Sequence, residues 1–96
     1  MSTSPIALDM GMSIKVFDDT LPNASIPYSI KKVANGYQLT HESRSIAITL
    51  KEMPPRVIAG LTLPVTHVEL DFSEHTEEEI ERYMLRFKRY FHRGGG

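Results

Sequence analysis

The sequence predicts an α+β fold: a small antiparallel sheet of four to five strands, packed by one long C-terminal helix. Three observations carry this. Ile80, Tyr83, Met84, Phe87, Tyr90 and Phe91 recur at helical spacing and form one apolar stripe over Thr76–His92. Ile46, Ile48 and Leu50 alternate with Ser45, Ala47 and Thr49, as Val68, Leu70 and Phe72 alternate with His67, Glu69 and Asp71; a period of two marks half-buried strands. Asn35-Gly36 stands between two such runs and is the dipeptide of a type I′ hairpin turn.

In chain order, residues 1–10 read as a mobile N-terminal arm, rich in Ser and Thr and with no clear period. Met12, Ile14 and Val16 alternate and predict a first strand over 12–17. Two prolines and several turn formers predict a loop over 18–27. Strands follow at Tyr28–Val33, Tyr37–His41 and Ser45–Leu50. Pro54, Pro55 and Gly60 then frame a short helical turn or an irregular loop. Val65–Phe72 is the last strand. The helix opens on Thr76 with Glu79 three residues on, which is the capping-box pattern. Glu77, Glu78 and Glu79 crowd its positive end; Lys88, Arg89, His92 and Arg93 crowd its negative end. The domain therefore reads as residues 11–93, with 94–96 a flexible glycine tail.

Ninety-six residues make one domain with one modest core. A net charge of −1 opposes nucleic-acid binding through bulk charge. The absence of cysteine removes disulfides, thiol catalysis and cysteine zinc sites, and agrees with a reducing, cytoplasmic setting. No apolar run approaches the ~20 residues that span a bilayer, and the N-terminus lacks the basic start of a signal peptide.

No nucleophile elbow and no phosphate-cradling glycine loop are present, so the chain does not read as an enzyme. No cofactor is expected. His67, Glu69 and Asp71, with His75 just beyond, share one strand face and are legitimate metal ligands. The solvated face of a half-buried strand explains them better, and no metal is expected. The helix says more. Opposite its apolar stripe lie Arg82, Leu85, Arg89, His92 and Arg93, and Arg86 adds to the basic set. A leucine framed by arginines fits a protein interface, because guanidinium groups bind carboxylates bidentately. The same basic residues interleave with aromatics, which admits nucleic-acid binding as an alternative. The aromatics, however, belong to the core stripe. Pro22, Pro27, Pro54, Pro55 and Pro64 also make slow folding, or help from a prolyl isomerase, a reasonable expectation.

Three stretches, LPNASIPYS from Leu21, EMPPRVIAGLTLP from Glu52 and EEEIERYMLRFKRYFHR from Glu77, together with the chain length, resemble the anti-RecBCD proteins of lambdoid Salmonella phages. The resemblance implies binding to the host RecBCD helicase-nuclease through its RecC subunit, with nuclease and recombination activity altered in favour of phage DNA. It implies a host prolyl isomerase as a companion. It assigns no role to any single residue.

Overall fold

The computed structural model describes residues 5–94, with side chains as far as Phe91. Seven elements follow one another: β1 (Ile6–Met10), α1 (Ile14–Ala24), β2 (Ser29–Val33), β3 (Gly36–His41), β4 (Arg44–Ile58), β5 (Leu61–Ser73) and α2 (Glu77–Gly94). The five strands form one antiparallel sheet in the order β1-β5-β4-β3-β2. Both helices pack on one face of it, so the class is α+β.

α2 forms as its sequence dictates. The Thr76 backbone N–H donates to Glu79 Oε1 at 2.9 Å, and the Glu79 N–H donates to Thr76 Oγ1 at 3.2 Å. Two of the four orphan donors of the first turn are thereby satisfied. Arg82 reaches back to Glu78 at 3.2 Å. Tyr83, Met84, Phe87 and Phe91 are buried against the sheet, and Ile80 and Tyr90 pack at the margin. The sheet answers with Leu39, Ile46, Ile48, Val68 and Leu70, all fully buried. Each such side chain contributes about 1.5–3 kcal/mol on leaving water.

The N-terminal third departs from expectation. Residues 6–10 are not an arm but the edge strand β1, in register with β5 from Ile6↔Leu70 to Met10↔Thr66. The alternation over 12–17 does not make a strand. Ser13 Oγ accepts from the Val16 N–H at 3.3 Å and starts α1, which absorbs most of the expected loop and carries Pro22 in its last turn. The side chains that matter are Phe17, Leu21 and Ala24, spaced i, i+4, i+7 and buried, whereas Ile14 and Val16 remain exposed. Phe17 stacks on Phe91 with centroids 4.7 Å apart and lies 5.9 Å from Tyr37. The Tyr37 hydroxyl donates to Asp18 Oδ1 at 2.9 Å, fastening α1 to the sheet. Burial, then the Asp18 carboxylate, raises the Tyr37 pKa, so this donor stays protonated.

The first hairpin turn is Ala34-Asn35, with Val33 paired to Gly36. Gly36 is thus a strand residue with no left-handed backbone. Its lack of a side chain serves a close approach: a Cβ there would lie 1.8 Å from the Ile48 carbonyl oxygen. The second departure is at 53–61, expected as a helical turn or loop. β4 and β5 instead run on together, past a register shift between Met53 and Arg56 where Pro54 and Pro55 sit, to a turn at Ala59-Gly60. Both turn residues have positive φ, 50° and 82°, as a type I′ turn requires. The last part of this hairpin is a two-stranded arm with no sheet neighbour among the described residues. The expected glycine tail also changes, because α2 extends to Gly94; residues 95–96, like 1–4, lie outside the described residues.

Two outcomes test this packing. Phe17→Ala removes the ring that joins α1, α2 and β3 and should cost about 3–5 kcal/mol in urea unfolding. Gly36→Ala should cost about 1–3 kcal/mol, because backbone rather than a mobile side chain must yield. An unchanged midpoint for either variant contradicts the packing described.

Candidate functional site

The outer face of α2 stands where the sequence placed it. Leu85 is 65% exposed. Arg82 and Arg89 are exposed on either side of it, one turn away, with Lys88 nearby. Among the described residues Arg82 pairs with Glu78 alone, an exposed i, i+4 pair of small energetic weight that leaves its guanidinium available to another carboxylate. Arg86 differs. Its Nε and Nη2 donate to the Asn23 carbonyl at 3.3 and 3.2 Å, and its guanidinium lies 4.9 Å from the Tyr90 ring centroid. It pins α2 to the end of α1 and forms a fixed wall rather than a free rim group. The side chains of His92 and Arg93 fall outside the described residues.

A groove of about 430 Å³ runs beside this face. Its walls are the first half of α2, the β3–β4 turn and the segment Ile26–Tyr28; Arg44, Arg82 and Arg86 contribute the cations, and Ile26, Tyr28 and Tyr83 the apolar surface. The Ile26–Pro27 peptide is cis. Tyr28 is fixed by a chain of contacts. The Ser73 carbonyl can only accept, so His75 Nδ1, 2.7 Å away, carries a proton. In neutral His75, Nε2 then accepts from the Tyr28 hydroxyl at 2.7 Å. Tyr28 packs edge-on to Tyr83, whose own hydroxyl meets Ser25 Oγ at 2.8 Å in the interior. Burial raises the pKa of both tyrosines.

Arg44 is the groove residue that sequence reasoning passed over. It sits at the start of β4, ion-paired to Glu79 and 3.8 Å from Glu42, and its buried Nε has no hydrogen-bond partner among the described residues. Glu79 therefore closes the capping box and holds Arg44 at the groove wall. The Thr76 backbone N–H, and after it the Arg44 guanidinium, keep the Glu79 carboxyl below the usual glutamate range. The missed signal was long-range, since nothing local in His-Glu-Ser-Arg points to Glu79, 35 residues beyond Arg44.

The strand trio does not assemble. His67 Nδ1 meets Asp9 Oδ1 of β1 at 2.7 Å, and Nε2 lies 3.7 Å from Glu69. His75 belongs to the Tyr28 contact instead. Among the described residues, no three such groups come together as a metal site, and no helix is long and apolar enough to cross a membrane. No family model, no curated protein and no solved structure matches the chain.

The Glu79 geometry predicts a pH dependence. Its carboxyl is held low in the folded chain, so the stabilisation is present above the unfolded glutamate value and is lost as pH falls through the folded value. Urea midpoints of the wild type should decline as pH drops from about 5 towards 3. Glu79→Gln should be less stable near neutrality and show a shallower decline; parallel curves would contradict the assignment.

Proposed function

We propose that this protein is a non-enzymatic binding module. It engages a host protein complex through the outer face of α2, and its target is the RecBCD helicase-nuclease, bound through RecC. The observation that supports this best is Leu85, an exposed apolar side chain on a rigid helix, bracketed by Arg82 and Arg89. Such a patch offers an apolar anchor and two guanidinium groups to an acidic rim on a partner, the composition of an interface centre. The groove lined by Arg44 and Tyr28 extends the same surface. The target itself comes from the resemblance of the sequence stretches, as does the host prolyl isomerase as companion. On this reading the module inhibits or modifies RecBCD, protecting phage DNA and favouring phage recombination.

A small nucleic-acid-binding protein using the basic helix is the competing reading. The burial of Tyr83, Phe87 and Phe91 counts against it. Those rings are committed to the core and offer bases no stacking surface.

Capture of purified RecBCD on the tagged protein tests the proposal. Wild type should retain the complex. Leu85→Asp combined with Arg89→Glu should weaken retention by about thirtyfold, the size of a hot-spot loss, with an unchanged thermal melt, because both positions are exposed. Equal retention moves the interface elsewhere on the surface. No retention by wild type ends the RecBCD reading. A salt titration against DNA and RNA decides the alternative, since binding through phosphates falls steeply with salt.

A further inference from the structure

We propose that the free end of the β4–β5 hairpin is a self-association arm, and that its occupant is a second copy of this chain. Residues 53–65 carry a single charge, Arg56. Four of the largest exposed apolar side chains lie here: Val57 at 67%, Ile58 at 49%, Leu61 at 65% and Leu63 at 42%. An isolated two-stranded ribbon is marginal in water, and exposed apolar surface concentrated on one marks a contact.

The register assigns the arm a face. In β5, Thr66, Val68, Leu70 and Phe72 point into the core, while His67, Glu69 and Asp71 point to the open side of the sheet. Continuing that alternation puts Leu61, Leu63 and Val65 on the open side, with their cross-strand partners Ile58, Arg56 and Met53. Ile58, Leu61 and Leu63 are therefore turned away from both helices, with Arg56 among them, whereas Val57, paired with Thr62, faces the other way. Strand-edge pairing is not the mode of contact. Pro54 and Pro55 on one edge and Pro64 on the other have no N–H to offer, the usual guard against edge-to-edge growth. The arm is built to dock by its face.

The same side of the body supplies a matching surface. Ala47 and Thr49 of β4 and Val33 and Gln38 beyond them line a hollow of about 370 Å³. It lies at the base of the arm, where the Leu50 N–H donates to the Asn35 carbonyl. A two-fold arrangement with the arms antiparallel brings each tip, Ile58 and Leu61, over the base of the other arm and sets Met53 and Val65 near the axis, against the same residues of the other copy. Charge agrees with this. The β1–β5 side of that base is acidic, with Asp9, Glu69 and Asp71; Lys51, Lys31 and His67 only partly offset them, and the approaching arm brings a lone arginine.

Sedimentation equilibrium over a concentration series from micromolar to millimolar tests the proposal. The wild type should move from the chain mass towards twice that mass. Leu61→Asp with Leu63→Asp, and separately Ala47→Arg in the hollow, should each raise the dissociation constant about tenfold or more. If one variant fails to fold by circular dichroism, the other decides. Leu85→Asp with Arg89→Glu, on the opposite side of the sheet, should associate as wild type does, so this result stands apart from RecBCD capture. A wild type at the chain mass throughout overturns the proposal. So does a dimer that a folded arm or hollow variant leaves unchanged.

Discussion

Everything in this molecule depends on the aromatic contact between its two helices and the sheet. Phe87 and Phe91 project from α2, with centroids 4.4 Å apart; Phe17 of α1 packs against both, and Tyr37 of β3 stacks on Phe17. The apolar face of the sheet has to be covered to leave water, and α1, at 11 residues, is too short to persist alone. Each supplies what the other lacks. α1 shields the edge of the cluster that α2 cannot reach, and the hydrogen bond from Tyr37 to Asp18 sets its position. Burial of α2's apolar stripe leaves the opposite side of that helix rigid, presented and free for other work.

A second constraint runs through Glu79. Its carboxylate satisfies the Thr76 N–H and pairs with Arg44, so the start of α2 is tied to the β3–β4 turn. The groove between them owes its shape to that link and to the Tyr28–His75 contact on the same wall. One ionised side chain thus serves helix initiation, tertiary packing and the electrostatics of the candidate binding surface. The outer face of α2 and the apolar arm lie on opposite sides of the sheet. The reading of the protein as a module that holds a partner leaves the second surface free for a copy of itself.

How much of this was legible in the sequence follows from the range of the signals. α2 was legible because its cap, its charge gradient and its stripe are all local and agree. So were the central strands, where Ile46, Ile48, Val68 and Leu70 keep a strict period of two. α1 was not. Six alternating residues around Ile14 and Val16 imitate a strand, and Pro22 with Asp18, Thr20 and Asn23 depresses helix propensity. The buried spacing of Phe17, Leu21 and Ala24 was present but short, and tertiary packing overrode propensity. The arm was misread because Pro54, Pro55 and Gly60 fit helix ends as well as a bulge and a type I′ turn. β1 carried no local signal beyond the alternation of Ile6, Leu8 and Met10, and it is ordered by pairing with β5. On the surface, Arg82, Leu85 and Arg89 followed from helical geometry. Arg44 and the intramolecular commitment of Arg86 to Asn23 needed the fold.

The central claim is that α2 serves two masters, the core on one face and a partner on the other. Site-specific photo-crosslinking tests it most directly: a photoreactive side chain placed at position 85, and in a separate protein at position 38 on the open sheet face, is irradiated with RecBCD present. The account predicts a covalent adduct to RecC from position 85 and none to any RecBCD subunit from position 38. Adducts from position 38 alone, or equal adducts from both, would contradict it.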